Sequence, residues 1–388
     1  MAAWLAAVAL AGLAAIQSFA LALGPGGVDT AIATGWAGGE KYAAKAALSY
    51  ITNARTPPFA EIERLSREGL RRKPLNPAAL TLIGFARERR GDEAGSLRLF
   101  ETAQRVSRRD VLTQLAFVNG LAAKGDLAGT LDHYDVALRT NNSAVELMTP
   151  ILGNAMRDTR IQKGFAGLVR QRPPWLLVVL DNMSSTTQFP GGLAKSLALA
   201  GGLPRTPPFP EIEQRLLARV LASDGPIAAR EYFLSLPGAR SADLTTLSFD
   251  ARTTNPDFAP LVWTEIADPN ASGAFVRDGG MLSLQGSAAP NSSGVLASRM
   301  MFLPAGQYRV SGRSAVNGDP GAALTMTIRC LVDGRDLANW KGKFGTPLPP
   351  LTITPACATQ KVDVMLGAGE GSNGAEARLT GLSLKRGG

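Results

Sequence analysis

The stretch from Asn76 to Ser143 contains one pattern twice, offset by 34 residues. Gly91-Asp92 recurs as Gly125-Asp126, Phe100 as Tyr134 and Ala103 as Ala137. Leu80, Ile83, Gly84 and Arg87 lie at helical spacing before the first Gly-Asp, and Leu97, Phe100 and Ala103 do so after it. The second copy repeats the arrangement with Phe117, Leu121, Leu131, Tyr134 and Ala137. Each copy therefore reads as a helical hairpin. Glycine sits at the reversal because it tolerates positive φ at little cost. Small residues (Gly84, Ala103, Ala137) stand where the two helices cross, so the backbones can approach. Hairpins of this size bury their apolar faces by stacking on neighbours, which makes a solenoid the expected arrangement.

A period of 34 with this Gly–aromatic–Ala grammar resembles the tetratricopeptide repeat. In that family the first helix of each hairpin lines a partner-binding groove. By position, the resemblance implies groove residues Thr81, Phe85, Glu88 and Arg89 in the first copy, and Leu115 and Asn119 in the second. Phe85 is equally placed to pack against the preceding helix.

Weaker copies flank the two clear ones. Lys41 to Ile51 and Glu61 to Leu70 read as helices, with Thr56 placed to cap the second and Glu61 and Glu63 suited to its positive end. Val145 to Met156 and Ile161 to Arg170 form a further hairpin, ended by Pro173-Pro174. Trp175 to Leu180 fits a buried strand or a helix, and its helical neighbours favour helix. Another helix is expected over Leu193 to Leu199. Arg205–Glu213 then repeats Arg55–Glu63 at eight of nine positions and leads into a hairpin turning at Asp224-Gly225.

Past Leu236-Pro237-Gly238 the helical period stops, and Gly, Ser, Thr, Asn and Pro rise. Strands are expected over 261–267, 274–277, 281–284, 294–302, 307–314, 323–332, 361–366 and 377–385, separated by turns such as Asp278-Gly-Gly280 and Asn317-Gly-Asp-Pro320. Frequent short strands of this kind imply an antiparallel β-sandwich. With Leu303–Val310 midway and Arg378–Leu384 at the close, the region resembles jelly-roll domains of the carbohydrate-binding-module type. The resemblance draws attention to Trp263 and Trp340, joined by Phe275 and Phe344, because a flat indole can stack on a sugar ring. The other reading of such rings is core filling between two sheets.

From Ala2 to Leu23 there is no charged residue, a length that can span a bilayer as a helix. It fits a retained signal anchor, or a signal peptide cleaved after Ala20-Leu-Ala22. Either exports the rest. In an exported chain the two cysteines, Cys330 and Cys357, can pair; the alternative is two buried thiols. With one histidine in the chain, His133, a zinc site is disfavoured.

The net charge of +9 falls mostly on residues 24–172, where 22 Lys and Arg face 15 Asp and Glu. It suits a solvated basic surface, acidic polysaccharide or anionic lipid, and no nucleic-acid motif accompanies it. No Gly-x-Ser-x-Gly elbow and no conspicuous acid pair suggests catalysis. No cofactor is expected.

The expected class is therefore α + β and multidomain: an apolar helix (1–23), a flexible joint (24–39), a helical-repeat domain (40–236), a linker (237–260) and a β-sandwich (261–388). The combination is similar to envelope proteins of Gram-negative bacteria. The expected function is a non-catalytic scaffold holding a protein partner in the cell envelope, anchored in the inner membrane or periplasmic. The alternative is a polysaccharide-binding protein acting through the sandwich.

Overall fold

A computed structural model of the chain describes residues 27–387, apart from 36, 54, 142–143, 267–268, 343–347 and 372. The apolar run before Leu23 lies outside the described residues, as does Phe344. Among the described residues no helix is long and apolar enough to cross a membrane. A helical, repeat-like region is followed by an antiparallel sandwich of two sheets.

The helices are α1 (Val28–Ala33), α2 (Gly39–Thr52), α3 (Phe59–Arg72), α4 (Pro77–Arg89), α5 (Glu93–Val106), α6 (Val111–Ala123), α7 (Leu127–Thr140), α8 (Ala144–Ala155), α9 (Thr159–Gln171), α10 (Leu176–Thr186), α11 (Pro190–Ala200) and α12 (Phe209–Ser235). The segment Trp175–Leu180 is thus largely helical. A helix, α1, occupies part of the expected flexible joint, with Val28 and Ala31 buried.

The 34-residue period is carried by the caps. Gly91 and Gly125 take φ of 81° and 75° at the two hairpin reversals. The next residue caps the following helix each time: Asp92 accepts from the Gly95 N–H at 2.8 Å, and Asp126 from the Gly129 N–H at 2.9 Å. The first helices are capped in the same register, Asn76 accepting from Ala79 N–H and Asp110 from Thr113 N–H. Thr56 does not cap α3, which starts after Pro58 with no side-chain cap. Each of these side-chain oxygens satisfies an N–H that would otherwise lack a helical partner. Asp92→Ala and Asp126→Ala are each expected to lower stability by about 1 kcal/mol, with the Asn replacements close to wild type. Urea unfolding followed by far-UV circular dichroism checks this, and equal losses for Ala and Asn would contradict the capping role.

By contacts the chain divides into two compact units. The first runs to Ala155 and takes in Gln171–Val179; the second is Met156–Arg170 with Leu180–Gly388. The division falls inside the stretch expected as one helical domain. In the first unit, Tyr42, Ile62, Leu65, Leu82, Phe85, Phe100 and Leu112 share a core.

In the second unit the segment 237–260 packs between α12 and the sandwich. Phe233 of α12 meets Phe258 edge-on at 5.2 Å, Phe302 N–H donates to the Leu244 carbonyl, and the Arg230 guanidinium of α12 lies 5.8 Å from the Phe302 ring. The segment 237–260, expected as a linker, buries Leu244, Leu247, Phe249 and Phe258.

The sandwich strands are β1 (Thr264–Glu265), β2 (Ala271–Asp278), β3 (Met281–Ala288), β4 (Ser293–Met301), β5 (Gly306–Gly318), β6 (Ala323–Cys330), β7 (Asp336–Lys341), β8 (Leu351–Ile353), β9 (Gln360–Gly367) and β10 (Ala375–Arg386). One sheet has the order β1-β4-β9-β6-β7, the other β2-β3-β10-β5-β8. Leu284, Leu296, Val310, Leu324, Met326, Val362, Val364 and Leu379 fill the space between them. Two strands, β7 and β8, had no counterpart in the sequence reading.

Candidate glycan-facing surface

Alternation along β3, β10 and β5 decides what the second sheet shows on its outer side. Leu284, Ala288, Ala375, Ala377, Leu379 and Val310 turn inward and are buried. Most of their neighbours in sequence face out and are accessible, while Ser283 is buried with its hydroxyl on the Val276 carbonyl. The register then sets them in rows across four strands. Ser272, Ser287, Glu376 and Asn317 form one row, and Ala274, Gln285, Arg378 and Ala315 the next. These two rows line a groove of about 670 Å³. Its floor is made of small side chains, so the sheet surface dips there. Gln285, Asn317, Glu376 and Arg378 supply amide, carboxylate and guanidinium groups at its walls. Glu376 is the one carboxylate among the lining residues. An open groove of this volume is the right size for a small ligand.

The sequence reading did not find these residues. The signal was present in Met281–Ala288, where polar Ser283, Gln285 and Ser287 alternate with apolar neighbours, but polar alternation marks any solvated sheet face.

Trp263 and Trp340 are not stacking platforms. They are 1% and 6% exposed. Trp263 sits edge-on to Phe249 at 5.2 Å, donates from Nε1 to the Leu247 carbonyl and lies 5.5 Å from the Arg299 guanidinium. Trp340 turns inward from edge strand β7, paired in register with Met326. Stacking on a sugar needs one free ring face, and the inter-sheet space leaves neither ring one. Phe275 packs against Phe249 at 5.2 Å and belongs to the same filling.

Arg299 itself is buried. It donates to the Asp243 carbonyl, and its Nη1 has no hydrogen-bond partner among the described residues. Burial holds its guanidinium down to about 9, opposed by the charges of Asp243 and Asp250.

The candidates on the helices are dispersed by the fold. Thr81 is buried and hydrogen-bonded to Thr113 at 2.8 Å. Phe85 stacks on Tyr50 of α2 at 4.9 Å, 5° from parallel, so it packs against the first helix of the previous hairpin, not the immediately preceding α3, and does not line a groove. Leu115 is buried too. Glu88, Arg89 and Asn119 are exposed, and partial desolvation raises the Glu88 carboxyl above its ordinary value, with Glu93 adding to the rise.

A cavity of about 690 Å³ lies elsewhere in this unit, lined by Arg105, Arg108, Phe117 and His133 among others. His133 stacks on Phe117 at 4.6 Å, and its Nδ1 is 2.7 Å from Gln114 Oε1. The Gln114 amide donates to the Arg108 carbonyl, so Oε1 accepts and the imidazole donates. Burial pushes this imidazole below its ordinary value, with Asp132 opposing.

Cys330 and Cys357 form a disulfide, with Cα atoms 5.7 Å apart. It joins the end of β6 to the turn before β9.

No family model matches the chain, and no curated protein matches it. Among solved structures, 17 chains match. One is TmCBM61 in complex with β-1,4-galactotriose, at 18% identity over 33% of this chain and 90% of that one, with a TM-score of 0.24. Another is the enzymatically active domain of tailspike protein 4 from bacteriophage CBA120, at 10% identity over 32% of this chain and 18% of that one, with a TM-score of 0.22. At such scores the likeness carries no weight for function.

Proposed function

We propose that this protein binds polysaccharide without cleaving it, through the outer face of the β2-β3-β10-β5-β8 sheet. The observation that carries the reading is the open groove of about 670 Å³ walled by Gln285, Asn317, Glu376 and Arg378. Amide and charged groups standing over a floor of small residues can hydrogen-bond the ring hydroxyls of a sugar chain lying along the sheet. Hydrolysis in its usual form takes two carboxylates, and Glu376 is alone among the lining residues. The Cys330–Cys357 bridge fits an oxidising compartment outside the cytoplasm, where such polymers are met.

Calorimetric titration of the full chain with bacterial oligosaccharides is expected to give saturable binding. Gln285→Ala with Asn317→Ala should weaken it about tenfold, the equivalent of one or two hydrogen bonds, with the melting temperature unchanged. An unaltered affinity in that double variant would count against the face. A protein partner held by the helical unit is the second reading. It is favoured by the cavity beside Arg105, Arg108 and His133 rather than by the groove residues the repeat resemblance implied.

A further inference from the structure

We infer that the polysaccharide is anionic, its carboxylate or sulfate groups meeting a cationic row at the β8 end of the same face. The inference rests on the sugar-binding reading and adds the charge of the ligand.

The row is built by a β-bulge. On β10, Thr380 pairs with Arg313, but the next regular pair is Ser383 with Ser311, so β10 carries one extra residue there. Gly381, at φ 59°, sits in the extra step. Without it Ser383 and Lys385 would turn into the sandwich and Leu382 would turn out. With it Leu382 is 2% exposed in the core, and Ser383 and Lys385 join Glu376, Arg378 and Thr380 on the outer face. A bulge is a means of re-aiming side chains, and here it re-aims a lysine.

The register then places Lys385 directly opposite Arg309. Arg313, four residues along β5 or about 13 Å at the rise of a strand, and Arg378 on β10 continue the row. All four side chains are exposed. Arg309, Arg313 and Lys385 make no ion pair among the described residues. Glu376 is the only acid at an outward position of β3, β5, β8 or β10. Like charges directly opposite on a sheet destabilise it. The pair Lys385–Arg309 therefore works against the fold, and a polyanion lying across it would relieve the repulsion. A chain running along β5 and β10 would pass from the amide-walled groove, where hydroxyls are bonded, to this row, where acidic substituents are neutralised. Charge complementarity selects an acidic polysaccharide over a neutral one.

The test compares oligogalacturonate and alginate oligomers with their methyl esters, which keep the sugar rings and remove the charge. The full chain is titrated with each, in wild type and in the double variant Arg309→Gln, Lys385→Gln. The acid forms are expected to bind about tenfold or more tighter than the esters, and to lose that advantage between about 0.05 and 0.5 M salt. The double variant should abolish the preference while melting no lower than wild type, because it removes a repulsion. Equal affinity for acid and ester, or a preference that survives in the double variant, would overturn the inference while leaving sugar binding in place. Absence of binding to these oligomers alongside binding to neutral glycans would overturn it too. If neither acidic nor neutral glycans bind, the sugar-binding reading itself falls.

Discussion

Trp263→Ala is expected to destabilise the sandwich by about 3–5 kcal/mol, the upper range for truncating a buried aromatic. The ring is 1% exposed and belongs to the inter-sheet core. Its removal would leave a cavity between Phe249 and Phe275, which approach it at 5.2 and 6.4 Å. It would also strip the Arg299 guanidinium of its aromatic neighbour. That group is buried with Nη1 already unpartnered, so the loss falls on a charge with little other compensation. Trp263→Phe keeps most of the volume and should lose clearly less. Urea unfolding of the two variants gives the comparison. A loss below about 1 kcal/mol for the alanine variant would contradict a core role, since measured truncations of this kind cost several times more. Sugar affinity of the Phe variant should match wild type, because the binding face lies on the other side of the sheet.

Breaking the Cys330–Cys357 bridge, as Cys330→Ala with Cys357→Ala, is expected to cost about 3–4 kcal/mol in the chain-entropy account. The cysteines are separated by 27 residues. Between them lie β7, an edge of one sheet, and β8, an edge of the other. The bridge thus limits the freedom of a segment that crosses from sheet to sheet with few ladder bonds of its own, since β8 is three residues long. Thermal melting with and without reductant reads the effect. The double variant should melt at one temperature in both conditions, matching the reduced wild type. A wild type indifferent to reduction would contradict the contribution assigned to the bridge.

The helical hairpins were legible because their signal is local. Gly91-Asp92 and Gly125-Asp126 combine the positive-φ reversal with the cap of the next helix, and both functions survive in the one-letter sequence. The capping by Asn76 and Asp110 obeys the same spacing. Less of the sandwich could be read. Asp336–Lys341 is a polar edge strand, and Leu351–Ile353 follows two prolines, so neither shows a clear alternation.

The candidate face was hidden for a related reason. It has no aromatic residue, and its members come from four strands whose pairing spans more than 100 residues. The pairing of Lys385 with Arg309 depends on one extra residue at Gly381, which no periodicity reveals. Attention to tryptophan led instead to the core, where rings of that size are most needed. In the helical unit, position within the repeat predicted groove residues, but Thr81, Phe85 and Leu115 are consumed by packing between neighbouring helices.

The most direct measurement of the central claim is backbone hydrogen exchange of the full chain, with and without a bound acidic oligosaccharide. The account predicts added protection concentrated in β2, β3, β5 and β10, with α4 to α7 unchanged. Protection appearing on α5, α6 and α7, with the sheet unaffected, would contradict it and move the binding function to the helical unit.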